Sequence, residues 1–204
     1  MAHQAITYIR LAVKTVNVLL MQDGEIHPKK LLKLGTGGRK IMLVPAILYK
    51  DEICKRFLKY AYSEDMINYT GYLGYSMPTI AEENDGSLYQ YAIVDNDRLI
   101  GFFTYQINWY VSCARCFGLF SFDRRNSIIG RDIYRELQKI INDYNIHRIE
   151  WRMVGGNPVE KHYDKFCKRY NGRKFVLTDA IKDRSGEYHD DVIYEIIFEQ
   201  EGRQ

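Results

Sequence analysis

Residues 117–145 read FGLFSFDRRNSIIGRDIYRELQKIINDYN. Phe117 to Phe122 is a short apolar run rich in aromatics, the composition of a buried strand. Beyond it, Ile129, Ile133, Leu137, Ile140 and Tyr144 recur at spacings of four, four, three and four, which is one face of a helix. Asn126 or Ser127 can cap its start, and Asn145 suits its stop. The stretch therefore predicts a strand, a basic polar loop and an amphipathic helix. A loop that opens a helix leaves backbone N–H groups without intrahelical partners, and the helix dipole adds partial positive charge there. Such a junction suits an anion such as pyrophosphate. Arg124, Arg125 and Arg131 add charge-assisted contacts.

Working outward, Leu88 to Val94 and Leu99 to Trp109 read as two strands joined by Asp95-Asn96-Asp97-Arg98, a hairpin signal. Lys40 to Tyr49 begins as a strand, and Asp51 to Ala61 has helical spacing at Ile53, Phe57 and Tyr60. Residues 62–80 are rich in Tyr and Gly. Downstream, Arg148 to Val154 is a strand, and Gly155-Gly156-Asn157-Pro158 is a turn that opens a helix ended by Gly172. Lys174 to Asp179 and Asp191 to Phe198 are two more strands, joined by a polar turn at Asp183 to Gly186. The class is mixed α/β, with one core and no repeat.

The chain has 204 residues, 46% apolar and 27% charged, which suits one ordinary globular domain. A net charge of +3 is too small for a nucleic-acid surface. The only close cysteine pair, Cys113 and Cys116, cannot complete a structural zinc site alone. It reads as reduced thiols on a strand, and no metal is expected. The apolar run from Ala5 to Met21 carries Arg10 and Lys14 and lacks the features of a leader or membrane span, so a cytoplasmic protein without membrane contact is expected.

Residues 1–40 differ from the rest. Ile6, Ile9, Val13, Val16 and Leu20 fit a helix face, while the β-branched content argues equally for a strand. The segment ends in Gly35-Thr36-Gly37-Gly38-Arg39-Lys40, a flexible joint. It is expected to be an extension packed on the domain at 41–204 or on a second copy of the chain in a homodimer.

The order of elements, with the residues at their joints, resembles the GCN5-related N-acetyltransferases, the GNAT superfamily, over about residues 41–200. That family has a pyrophosphate-binding loop of the form Q/R-x-x-G-x-G/A. The matching stretch here is Arg125-Asn126-Ser127-Ile128-Ile129-Gly130, in which Arg125 and Gly130 fit and Ile128 replaces the first glycine. Asn157, the helix containing Tyr163, and Gly186-Glu187-Tyr188-His189-Asp190-Asp191 are similar to three later features of the family. The resemblance implies a twisted, mostly antiparallel central sheet flanked by helices, with two splayed strands holding acetyl-CoA.

It also implies roles. A backbone N–H on the strand Phe117 to Phe122 would polarise the thioester carbonyl, with Phe120, Ser121 and Phe122 the candidates. Residues 125–131 and Asn157 would hold the cofactor. Tyr163 would protonate the leaving thiolate, and Glu150 would take the amine proton; His162 and His189 are weaker options. Glu64, Asp65, Tyr69, Tyr72 and Tyr75 would receive the acceptor through carboxylates and ring faces. A small-molecule amine is the first expectation for that acceptor, a peptide N-terminus or lysine the second. A degenerate domain that only binds CoA or a partner is the third.

Overall fold

A computed structural model describes residues 43–61, 78–82, 86–123 and 126–198. The expectations for residues 1–40, for Glu64, Asp65, Tyr69, Tyr72 and Tyr75, for Arg124 and Arg125, and for the Ile128 side chain lie outside the described residues.

The first strand, β1, is short: Leu43–Pro45. Pro45 has no N–H to extend a ladder, and the chain turns into a 3₁₀ helix, Ala46–Tyr49, rather than continuing the strand to Tyr49. Helix α1 follows at Lys50–Tyr60 and buries Ile53 and Phe57. Strands β2, Leu88–Asp95, and β3, Arg98–Asn108, form the expected hairpin. Its turn residues Asn96 and Asp97 both have positive φ, 49° and 62°, a conformation Asn and Asp tolerate best among residues with side chains. Strand β4 is Cys113–Ser121, longer at its start than its apolar run suggests. Helix α2, Ser127–Asn142, and strand β5, Arg148–Val154, match the sequence reading. Helix α3 is Glu160–Arg169, and β6, Arg173–Lys182, and β7, Tyr188–Ile197, complete the sheet.

The seven strands are ordered β1-β2-β3-β4-β5-β7-β6. Every neighbouring pair is antiparallel except β4 and β5. That parallel pair is aligned at only two positions, Cys113 with Arg148 and Ala114 with Ile149, after which the strands separate. The cause lies in β4. Its register with β3 slips between Thr104 and Gln106, and Cys116 takes φ of 55°. An extra residue at such a bulge bends the strand that carries it.

Each face of the sheet has its own cover. Beneath β4, Phe57 of α1 meets Phe120 with ring centroids 4.8 Å apart, and Arg56 donates to the Leu99 carbonyl at 2.7 Å. On the other face, Trp151 of β5 stacks on Tyr194 of β7 at 5.0 Å and meets Phe166 and Tyr163 of α3 edge-on. Burying such rings contributes roughly 1.5–3 kcal/mol each. The apolar stripe of α2 packs as its spacing predicts, with Ile129 and Ile140 buried. The same helix also buries Glu136, which accepts hydrogen bonds from the Tyr105 hydroxyl at 2.7 Å and the Tyr91 hydroxyl at 3.2 Å. No helix among the described residues is long and apolar enough to cross a membrane.

Burial raises the pKa of Tyr105 and Tyr91, and the Glu136 carboxylate adds to both shifts. Burial also raises Tyr194, and pushes Tyr163 up to about 12. In the unfolded chain these phenols ionise near ~10. Above that pH the folded state retains protons that the unfolded state releases, so stability falls as pH rises. On alkaline titration, part of the phenolate absorbance should lag and appear only as circular dichroism is lost. Smooth ionisation of every tyrosine in a chain that stays folded would contradict this packing.

Candidate functional site

Because β4 and β5 part after two aligned pairs, a wedge opens between them toward their C-terminal ends. A cavity of about 820 Å³ lies along it, walled by β4, β5, α2 and α3. Alternation decides which side chains line it. Phe117, Leu119 and Ser121 project from β4, and Ile149, Trp151 and Met153 from β5. The wall is apolar except at its ends. Two polar atoms in it, Ser121 Oγ and Trp151 Nε1, are buried without a hydrogen-bond partner among the described residues, which is uncommon in a settled interior.

The backbone of β4 has the same alternation. The Phe122 N–H donates to the Ile100 carbonyl at 2.8 Å, so the main-chain groups of Phe122 and Phe120 point at β3. Those of Leu119 and Ser121 point the other way, into the wedge that β5 has left. Of the three residues expected to offer a backbone N–H, Phe120 and Phe122 thus turn theirs to β3. Phe120 is fully buried on the α1 face, and Phe122 lies beside Tyr60 with the Arg56 guanidinium 5.7 Å from its ring. Ser121 alone of the three expected residues lines the cleft, joined by Leu119, which sequence reasoning passed over. Alternation outward from the cleft-facing Phe117 was the signal available.

At the wide end the first turn of α2 meets the cleft through Ser127, Gly130 and Arg131, with Asn126 just before it. That turn contains no acidic residue, so nothing in it opposes the positive end of the helix dipole. A Cβ on Gly130 would meet nothing within 4 Å, so the glycine leaves open space on the cleft side. Arg131 contacts Asp132 at 3.3 Å, while Asn126 Nδ2 donates to Asp95 at 3.4 Å. Across the opening, Lys161 and His162 line the cleft from the start of α3. Their exposed side chains have no hydrogen-bond or ion-pair partner among the described residues. The helix dipole and three basic side chains thus border one end of an otherwise apolar channel.

The fold aligns over 76% of this chain with 91% of a crystal structure described as a "Probable acetyltransferase", at a TM-score of 0.55 and 11% identity. The chain has a GNAT fold. Looser likenesses join it to the spermidine/spermine N-acetyltransferase of Vibrio cholerae (TM-score 0.46, 20% identity, 56% of this chain and 67% of that one). Another is to the ribosomal-protein-S18-alanine N-acetyltransferase of Escherichia coli (TM-score 0.48, 11% identity, 59% of this chain and 77% of that one). At such identities these are likenesses of fold. No protein-family model matches the sequence, and no curated protein matches it.

On this GNAT framework the remaining expected residues fall into two groups. Asn157 and Tyr163 line the cleft. Asn157 Oδ1 accepts the Val159 N–H at 3.0 Å and so shapes the entry to α3. Tyr163 is half-buried against Trp151, and its hydroxyl makes no hydrogen bond among the described residues. Glu150 is on the opposite face of β5 from the cleft wall. It accepts from Arg148, which also pairs with Glu195 of β7, while Arg152 pairs with Asp191 farther along. The two-residue period of a strand separates Glu150 from its neighbours Ile149 and Trp151. His189 lies at the start of β7, 2.9 Å from Asp183 of the β6–β7 turn, and does not line the cleft. Asp183 also accepts from Ser185 and from the Glu187 N–H, bonds that hold the turn closed.

Gly130→Asp should fold as well as the parent, because the new side chain enters open space. An anion held at the α2 N-terminus would meet that carboxylate directly. CoA affinity, measured by calorimetry, should fall by at least about tenfold, which corresponds to ~1.4 kcal/mol. Unchanged affinity would make Gly130 an ordinary helix residue.

Proposed function

We propose that this chain is an N-acyltransferase that moves an acetyl group from acetyl-CoA to the primary amine of a small molecule, by direct attack and without an acyl-enzyme. The observation that carries the reading is the wedge itself. It is a channel with strand amides along one wall that have no strand partner among the described residues, and a helix N-terminus at its mouth. CoA is a long molecule with an amide-bearing arm and a pyrophosphate, and the residues present fit both parts. Acetyl-CoA supplies an activated thioester when bound.

The chain's own groups then have these tasks. The first turn of α2 receives the pyrophosphate, with Gly130 leaving room, Arg131 and Lys161 adding positive charge and His162 offering a ring nitrogen. Asn126, Ser127 and Ile129 shape this loop, and Arg125 and Ile128 belong to this reading as part of the same cofactor site. Leu119 and Ser121 offer their amides to the arm and to the thioester carbonyl, where a fixed donor stabilises developing negative charge. Tyr163 stands against Trp151 with its hydroxyl free to donate to the departing sulfur. A phenol pushed up to about 12 by burial stays protonated. It lies well above an ordinary thiol at ~8.5, so it gives a hydrogen bond rather than its proton, and water supplies the proton.

An ammonium acceptor with a pKa near 10.4 must lose a proton, at about 4–5 kcal/mol at pH 7. Glu150 stands one residue past the last aligned β4–β5 pair, on the face opposite the cleft wall. An amine approaching from that face meets its carboxylate near the apex. Arg148 occupies one carboxylate oxygen, and water relays the proton to the other. Glu64, Asp65, Tyr69, Tyr72 and Tyr75 belong to this reading as the acceptor's wall.

Acetyl-CoA at 100 times its Kd should stabilise the protein by about 2.7 kcal/mol. A panel of primary amines should then reveal thiol release that depends on both substrates. No thermal shift at millimolar CoA would overturn the cofactor assignment, and a shift without turnover on any amine would reduce the protein to a CoA-binding module. Tyr163→Phe should bind CoA normally and turn over roughly 10- to 100-fold more slowly, the effect of one hydrogen bond to a charged atom. An unchanged kcat in a chemistry-limited assay would remove Tyr163 from the reaction.

A further inference from the structure

The channel runs deeper than an acetyl group requires. Helix α2 starts at the mouth, and Leu137 on its cleft face lies seven residues beyond Gly130, about 10 Å farther in. On the strands, the lining residues nearest the apex are Phe117 of β4 and Ile149 of β5, and Ile149 belongs to the last aligned pair. Phe117 and Leu137 line the cavity and are only half-buried, whereas Ile140, three residues on, is fully buried and does not line it. The channel therefore ends between Leu137 and Ile140.

Its two ends differ in chemistry. The mouth has the α2 N-terminus with Arg131 and Lys161, and the wall between has Ser121 Oγ and Trp151 Nε1, buried without a partner among the described residues. Toward the closed end the lining side chains are Phe103, Phe117, Leu137 and Ile149, which hold no polar atom. The Phe103 and Phe117 rings lie against each other, with centroids 6.3 Å apart. An apolar cavity stays dry and takes apolar guests. The pyrophosphate and the amide-bearing arm of CoA match the mouth and the wall, so the part of the donor left for the closed end is the acyl group. With the thioester carbonyl at the Leu119 amide, Phe117 is two strand residues deeper, about 7 Å. An acetyl methyl extends one carbon–carbon bond past that carbonyl, about 1.5 Å. It leaves Phe117, Leu137 and Ile149 facing space with no atoms to pack against.

We propose, resting on the acyl transfer set out above, that the preferred donor is a straight-chain acyl-CoA longer than acetyl-CoA, with its hydrocarbon tail lying past Phe117 between Leu137 and Ile149. The chemistry is the same. The amine nitrogen bonds to the thioester carbon as the C–S bond breaks. The electron pair leaves on sulfur, which takes a proton from water, and water passes the amine proton to Glu150. The tail takes no part in these steps and decides which donor is held.

Calorimetry on the full chain with CoA, acetyl-CoA, butyryl-CoA, hexanoyl-CoA and octanoyl-CoA tests this. Affinity should rise from acetyl-CoA by about fourfold for each methylene that enters the apolar end, then level off or fall once that end is full. Leu137→Phe should move the break to a shorter chain, and Leu137→Trp should remove the rise, with circular dichroism checking that each variant is folded. Affinity that is flat or falls from acetyl-CoA onward in the native chain would overturn the proposal and leave acetyl transfer standing. So would a rise that folded Leu137→Trp retains, because the tail would then lie elsewhere. Failure of CoA itself to bind would remove the cofactor reading and the proposal together.

Discussion

Two aligned residue pairs hold β4 to β5, and the candidate site exists because there are no more. A sheet gains by continuing a ladder, since each buried backbone N–H and C=O left alone is costly. The bulge around Cys116 overrides that preference by bending β4 away while its other edge stays bonded to β3. The consequence is a wedge whose one wall presents main-chain groups instead of side chains. Such a wall can recognise an amide-bearing ligand almost independently of the residues placed on it. That explains how Leu119 and Ser121 can sit there without any motif to mark them.

The surrounding packing keeps the wedge open. Trp151, Tyr194, Phe166 and Tyr163 form one connected aromatic cluster that fixes β5 against α3. Phe57 and Phe120 do the same for β4 against α1 on the opposite face. Each strand of the split is thus supported on a different side of the sheet, and closing the split would require one cluster to give way. Glu136, with Tyr91 and Tyr105, ties α2 to β2 and β3.

Much of this was legible in the sequence. The spacing of Ile129, Ile133, Leu137 and Ile140 located α2, and the Asn96-Asp97 turn located a hairpin. The order of elements then pointed to a sheet with splayed strands. The bulge was not legible, because nothing in Cys-Ala-Arg-Cys announces a positive φ at Cys116. Without the bulge the parity of β4 could not be assigned, so Phe120 and Phe122 were named where Leu119 and Ser121 point into the cleft. His162 entered the sequence reading only as a weaker catalytic option and Lys161 not at all, because only α3 brings them to the cleft mouth. Glu150 carried no sign of its facing in composition, although strict alternation with the apolar Ile149 and Trp151 placed it on the other side.

The central claim is that the parted β4–β5 wedge receives CoA along the unpaired edge of β4. Amide hydrogen exchange, resolved by residue, with and without CoA tests this most directly. The account predicts new protection at Leu119 and Ser121 and in the first turn of α2, with Phe120 and Phe122 unchanged because β3 already holds them. Protection confined to other segments, or none at β4 when CoA is demonstrably bound, would contradict it.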